Sequence, residues 1–226
     1  MTFKHTPNRN LNFTLKTSEI NSQRFYITPA GKYYPSVTTI LKEFSKDAIE
    51  LWRKRVGEGE AQIISRKAST KGNKIHHLCE QYLLNQEVNL IGESSVIRSA
   101  FLGMQKVLDK SLGDVVCLEN TLYSDHLMTA GRVDCIGMWD GKLAVVDFKT
   151  SSKEKKEEWI TSYFMQCTIY ACMFYELTGI PIHDIVVLIA YDGSRFPQVF
   201  HRKVKDYLKD TLKFVRRYHE SNHRTL

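Results

Sequence analysis

The chain has 226 residues, of which 42% are hydrophobic and 25% charged, a balance typical of one well-packed globular domain. Thirty-two Lys and Arg against 25 Asp and Glu leave a formal charge of +7, which favours a polyanionic partner without establishing one. The five cysteines are odd in number and lack C-x-x-C spacing, so neither a zinc finger nor a disulfide framework is expected. No apolar run approaches the roughly 18 residues of a membrane span, and we expect no membrane partner.

The N-terminal segment MTFKHTPNRNLNF has neither a secretory hydrophobic stretch nor a convincing amphipathic transit helix. We therefore expect a loose leader over residues 1–23, a single domain over 24–226 and a cytoplasmic location. Residues 24–36 predict a short hairpin. A helical part follows over about 37–110. Its apolar spacing indicates separate helices over 58–69, after Gly72 and over 95–110.

The periodicity then changes to that of strands, which we predict over 114–124, 129–138 and 142–149. Asp140-Gly141 between the last two is a strong hairpin-turn signal, and LAVVDF is apolar enough for a strand buried on both faces. A helix over about 155–178, strands over 185–191 and near 197–202, and a helix over 204–220 complete the order. This order predicts an α/β fold with a mixed sheet flanked by helices, whose sheet-bearing core spans about 114–220.

Asp134 and Asp147 interrupt two otherwise apolar strands on either side of the predicted hairpin. Two buried carboxylates repel each other and need cations nearby, and Lys149 shares the strand face of Asp147. Carboxylates hold hard cations such as Mg²⁺, and a lysine can position or deprotonate an attacking water. The pattern favours metal-dependent phosphodiester cleavage. A buried Asp–Lys salt bridge beside an unrelated Asp is the alternative.

GRVDCIGMWDGKLAVVDFKTS resembles the signature of the PD-(D/E)XK nucleases, and in particular their RecB-type exonuclease branch, which includes mitochondrial genome-maintenance exonucleases and phage relatives. Three further segments agree with that branch in the same order along the chain. They are YPSVTTIL (34–41), GNKIHHLCE (72–80) and QCTIY (166–170). Together the matches span about residues 24–216. The resemblance implies a restriction-endonuclease-like core with a helical N-terminal part.

The resemblance also implies roles for individual residues. It implies that the metal ligands are His76, Asp134, Asp147, the backbone carbonyl of Phe148 and, additionally, Glu119. It also implies that the catalytic residues are Asp134, Asp147, Lys149, Gln166 and Tyr170. Each has a structural alternative: a core histidine, a solvated strand glutamate, or a half-buried polar pair on the 166–170 helix.

Other residues are candidates for substrate binding on their own chemistry. The hydroxyls of Thr150, Ser151 and Ser152 can donate to a phosphate or cap the following helix. Lys71 and Lys74 belong to a basic helical surface, and Tyr34 offers a ring on which an unpaired base could stack.

These inferences predict a DNA exonuclease that uses one or two Mg²⁺ (or Mn²⁺) ions and prefers single-stranded DNA with free ends. The alternatives are a structure-specific or flap endonuclease of the same fold, and a nucleic-acid-binding module that has lost catalysis. An iron–sulfur cluster is not expected, because no cysteine follows Cys172.

Overall fold

The computed structural model describes residues 2–222. The first three strands, β1 (Lys16–Ile20), β2 (Gln23–Ile27) and β3 (Tyr33–Pro35), form an antiparallel sheet. β2 and β3 are the two arms of the hairpin predicted over 24–36. This sheet packs on the body of the protein through a small cluster that includes Tyr26 and Ala130.

The residues before this sheet are not the loose leader that we expected over 1–23. Phe3 and Leu11 are buried, and the Thr6 N–H donates to the carbonyl of Val115 at 2.8 Å. Phe3 also meets the ring of Tyr82 edge-on, with centroids 5.4 Å apart. The segment is held because its few apolar side chains complete cores built by later elements.

The helical part consists of α1 (Val37–Val56), α2 (Glu58–Leu83) and α3 (Ser95–Ser111). Ser36 and Ser94 cap α1 and α3, their side chains accepting from the N–H of Thr39 and of Ile97. The helix break predicted at Gly72 is wrong, because α2 runs through it. A β-carbon there would lie 3.5 Å from the Thr150 hydroxyl oxygen, an ordinary contact distance, so α2 packs against the end of β8 at this point.

The remaining strands and α-helices form a five-stranded sheet, a separate two-stranded sheet and the helices on the other face of the larger sheet. In chain order they are β4 (Leu112–Leu118), β5 (Thr121–Ser124), β6 (Thr129–Arg132), β7 (Cys135–Trp139), β8 (Lys142–Ser151), α4 (Thr161–Thr178), β9 (Asp184–Tyr191), β10 (Gln198–Lys203) and α5 (Val204–Asn222). The five-stranded sheet has the order β10-β9-β8-β7-β4, and only β8 and β9 pair in parallel. This mixed sheet, flanked by helices, confirms the predicted α/β fold class.

Successive residues of β8 point into two different cores. Val146 and Phe148 pack with α2 and α3, whereas Val145 packs with α4 and α5. In the part of the chain that the structure describes, no helix is long and apolar enough to cross a membrane.

Two strands that the sequence predicts as continuous are each broken in the structure. The break between β4 and β5 lies at Glu119, whose φ of 52° is left-handed, and Asn120 stabilises it by accepting from the Leu118 N–H at 2.9 Å. The break between β6 and β7 lies at Val133 and Asp134. The two breaks are joined, since the Glu119 N–H donates to the Asp134 carbonyl at 3.0 Å. They place two acidic side chains next to each other.

Candidate metal centre

Asp134 sits at the break between β6 and β7 and is 9% exposed. Its Oδ2 accepts a hydrogen bond from the Phe148 N–H at 2.8 Å, and its Oδ1 lies 3.5 Å from Nδ1 of His76 on α2. Strand β7 ends its pairing with β8 at Val146, so the β8 edge at Phe148 is free to meet this side chain. In a strand the N–H and C=O of one residue point to the same side. The Phe148 carbonyl therefore points to the same side of β8 as the N–H that binds Asp134.

A possible ligand set forms where α2 meets the two strand breaks. One ligand atom each from His76, Glu119 and Asp134 lie within 4.8 Å of one another. Carboxylate oxygens suit Mg²⁺, and the imidazole nitrogen also suits Mn²⁺. Asp147 is outside this tight group, one strand away on β8.

Asp147 is 2% exposed, and Lys149 Nζ lies 2.5 Å from its Oδ2. The contact is a close ion pair that does not meet hydrogen-bond geometry, and Oδ2 has no hydrogen-bond partner among residues 2–222. The Lys149 ammonium also lies 5.3 Å from the ring centre of Tyr163. The ammonium nonetheless supplies the counter-charge of this oxygen, and the donor set of His76, Glu119 and Asp134 is one that a divalent cation can use. The residues present thus fit a divalent metal.

The electrostatics of the cluster follow from burial and close packing of like charges. Burial and the nearby charge of Asp134 raise the pKa of Glu119 to about 7, against the opposing effects of Arg132 and His76. Burial likewise raises the pKa of Asp147 to about 6, although Lys149 opposes it. Both acids therefore keep their protons to a higher pH than exposed carboxyl groups do.

The other three groups shift in the direction of their charged forms. Burial alone would raise the pKa of Asp134, but His76, Lys149 and the Phe148 N–H lower it by more. Burial alone would lower the pKa values of His76 and Lys149, but the carboxylates of Asp134 and Asp147 raise both by more.

The cluster opens into a cleft of about 720 Å³ between α2, α4 and the first turn of α1. Of the other predicted residues, Gln166, Tyr170 and Thr150 line it. The Tyr170 hydroxyl donates to the Arg132 carbonyl at 2.9 Å, and the Arg132 guanidinium lies 2.9 Å from Glu119. Sequence reasoning passed over several polar residues of the cleft wall. They are Arg24, Ser36, Thr38, Asn73 and Arg132.

Four of these residues lie inside segments that match the nuclease branch: Ser36 and Thr38 in YPSVTTIL, Asn73 in GNKIHHLCE and Arg132 in GRVD. Only Arg24 lies outside them, and all five meet only in the folded chain. His77 and Glu80 also reach the cleft, and they face each other at 3.6 Å.

The remaining predicted substrate-binding residues lie outside this cleft. Lys71 pairs with Asp192 and donates to the Ser151 carbonyl at 2.9 Å, and Lys74 lies 2.6 Å from Glu93. Ser152 is exposed beyond the end of β8.

Tyr34 differs from its prediction as a stacking platform. Its ring is buried, and its hydroxyl donates to Asp125 at 2.5 Å, so no face of the ring is available to a base.

Comparison with known proteins gives a distant homologue. No family model matches the chain. The human mitochondrial genome maintenance exonuclease 1 is 28% identical over 129 residues, and the mouse protein of that name is 31% identical over 130 residues. Each alignment covers 54% of this chain and 38% of the relative. The resemblance to RecB-type PD-(D/E)XK exonucleases is thereby confirmed as distant homology over about half of the chain. The aligned region spans well under half the length of these relatives.

Solved structures add little. The crystal structure of SSO0001 aligns with 62% of this chain and 70% of its own, at 19% identity and a TM-score of 0.28. That score is too low to support any argument.

Proposed function

We propose that the chain is a Mg²⁺- or Mn²⁺-dependent deoxyribonuclease that degrades single-stranded DNA from its ends. The observation that carries this proposal is the meeting of His76, Glu119 and Asp134 beside the buried ion pair of Asp147 and Lys149. A buried acidic cluster destabilises a protein that only binds DNA, but it is what a metal-dependent hydrolase requires.

One or two ions would be held by His76, Asp134, Asp147 and the Phe148 carbonyl, with Glu119 joining when Arg132 releases it. A divalent ion supplies an activated water and neutralises charge that develops on the scissile phosphate. The donor set is mostly oxygen with one imidazole, which suits either metal.

The residues of the chain perform the rest of the reaction. Lys149, fixed between Asp147 and the Tyr163 ring, places a positive charge where the attacking water and the phosphate oxygens meet. Gln166 and Thr150 line the same cleft and offer hydrogen bonds to the water and to the phosphate. Tyr170 acts through the backbone, since its hydroxyl holds the strand that carries Arg132 and leads to Asp134.

The preference for ends rests on the relatives, which are named exonucleases, and the preference for single strands rests on the resemblance to the RecB-type branch. A flap or structure-specific endonuclease of the same fold would use the same metal centre. A binding module without catalysis is disfavoured, because the complete set of carboxylates, histidine and lysine is present.

A time course on labelled linear and circular DNA, each single- and double-stranded, tests the proposal. We expect Mg²⁺-dependent loss of linear single-stranded DNA, no loss of the circle, and no reaction in EDTA. Cleavage of the circle would favour the endonuclease instead.

Lys149→Ala is expected to abolish cleavage while leaving DNA binding measurable. Lys142→Ala, an exposed lysine at the start of the same strand, is the matched control. Full activity of Lys149→Ala would rule out the proposed site.

A further inference from the structure

A second concave surface lies apart from the catalytic cleft, between α3 and the turn that joins β9 to β10. This α3 groove has a volume of about 910 Å³, and its walls include Arg98, Lys106 and Arg195. It shares no lining residue with the catalytic cleft. A smaller α2 groove of about 460 Å³ adjoins it, with Arg66 and Lys67 in its walls. Glu93 and Val96 line both grooves, so the two are continuous.

The joined grooves carry much of the positive charge of the chain. Seven Lys and Arg side chains line them against two carboxylates, those of Glu93 and Asp192. Both carboxylates are already paired, with Lys74 and Lys71. The five remaining cations have no ion-pair partner within residues 2–222. An excess of five unpaired cations on one surface fits a polyanion.

An aromatic ring stands among these cations. Phe196 is 50% exposed, and its ring centre lies 5.6 Å from Lys106 Nζ and 5.8 Å from the Arg195 guanidinium. Ser194 fixes the turn by donating its hydroxyl to the Phe196 carbonyl at 2.8 Å. Alternating cations and exposed rings are how proteins hold the phosphates and bases of single strands.

The turn between β9 and β10 packs tightly against α3. A β-carbon at Gly103 would sit 2.5 Å from the Arg195 carbonyl oxygen, so the close contact requires glycine at this position. The capped N-terminus of α3 lies where the two grooves join. Its unpaired N–H groups and helix dipole add further attraction for an anion.

The grooves also connect to the catalytic cleft through the end of β8. Thr150 lines the cleft, and the carbonyl of the next residue, Ser151, accepts from Lys71 of the α2 groove. Lys71 in turn pairs with Asp192 of the α3 groove. A nucleic-acid strand that left the cleft at Thr150 would reach the basic surface without crossing the body of the protein.

We propose that the α2 and α3 grooves bind the backbone of a single-stranded nucleic acid that extends out of the catalytic cleft, with one base stacked on Phe196. The sites of hydrolysis and of this extended binding are then separate. The assignment of the strand as DNA rests on the proposed function, whereas the binding itself does not require hydrolysis.

The test measures binding of 5′-fluorescent oligothymidylates of about 6 and about 30 nucleotides by anisotropy, in EDTA so that no cleavage is needed. Lys106→Glu combined with Arg195→Glu is expected to weaken binding of the longer strand at least tenfold, and to weaken the shorter strand much less. The slope of log affinity against log salt for the longer strand should fall by about 1.4, since each phosphate contact contributes about 0.7. Phe196→Ala should weaken the longer strand about tenfold with little change in that slope.

The matched control reverses two exposed lysines of α5, Lys209→Glu with Lys213→Glu, which change the net charge equally on the opposite face of the sheet. Equal weakening by this control would overturn the proposal, because it would show a general charge effect. Unchanged binding by the groove variant would also overturn it, and would favour an acidic protein segment as the occupant. Lys106→Ala with Arg195→Ala, together with thermal unfolding of each variant, guards against loss of the fold. Failure of DNA hydrolysis in Mg²⁺ would count against the metal centre and leave this binding result intact.

Discussion

Replacing Glu119 by Gln should change how the stability of the metal-free protein depends on pH. In the folded state the pKa of Glu119 is raised to about 7, because burial and the charge of Asp134 disfavour the carboxylate. An unfolded chain releases that proton near the reference value of 4.5. The folded form therefore binds the proton more tightly, and stability from this group falls as pH rises from about 4.5 through about 7.

The size of the effect follows from the two pKa values. Their difference corresponds to roughly 3 kcal/mol of unfolding free energy at pH values above both. About 2 kcal/mol of this loss falls between pH 5 and pH 8. The side chain of Glu119 is 16% exposed, so solvent screens it little. Glu119→Gln places a neutral amide at this position, so this fall in unfolding free energy with rising pH should be absent from the variant.

The assay is urea unfolding in EDTA at pH 5 and at pH 8. We expect the unfolding free energy of the unmodified protein to fall by about 2 kcal/mol more than that of Glu119→Gln over this interval. Glu87→Gln, which changes an exposed carboxylate, is the control and should follow the unmodified protein. An identical pH dependence in Glu119→Gln would refute the account of a destabilised, buried carboxylate.

Two further predictions concern the wall of the cleft. Gly131→Ala should cost about 1–3 kcal/mol in urea unfolding, because the new β-carbon would lie 2.8 Å from the Tyr170 hydroxyl and 3.1 Å from Val37; no loss would show that the wall yields freely. Tyr170→Phe should cost about 1 kcal/mol through the lost bond to the Arg132 carbonyl, and Gly131→Ala should cost less when combined with it. Additive costs would contradict the contact.

Local signals predicted most of the fold. Asp140 and Gly141 both have positive φ, 44° and 78°, as a tight hairpin turn requires. That turn fixed the relation of β7 to β8, and with it the approximate approach of Asp134 to Asp147. The prediction succeeded because the turn and the alternation of strands are properties of neighbouring residues.

The failures concern contacts between distant segments. The left-handed backbone at Glu119 depends on hydrogen bonds to Asp134 and from Leu118 to Asn120, which no strand pattern reveals. Burial of Phe3 likewise depends on partners far along the chain.

The same limit explains why the sequence did not show that Lys71, Lys74 and Tyr34 lie outside the catalytic cleft. The sequence put Lys71 on a basic helical surface, but its partner Asp192 is 121 residues away. The acidic neighbours of such lysines, and the burial of Tyr34, follow only from the packed structure.

The central claim is tested most directly by the rate at which nucleotides are released from end-labelled single-stranded DNA in Mg²⁺ by the unmodified protein and by Asp134→Asn. Asp134 links His76, Glu119 and the Phe148 N–H, so its carboxylate is the common member of the proposed metal centre. We predict release by the unmodified protein and at least a hundredfold slower release by Asp134→Asn. Equal rates for the two proteins would contradict the assignment.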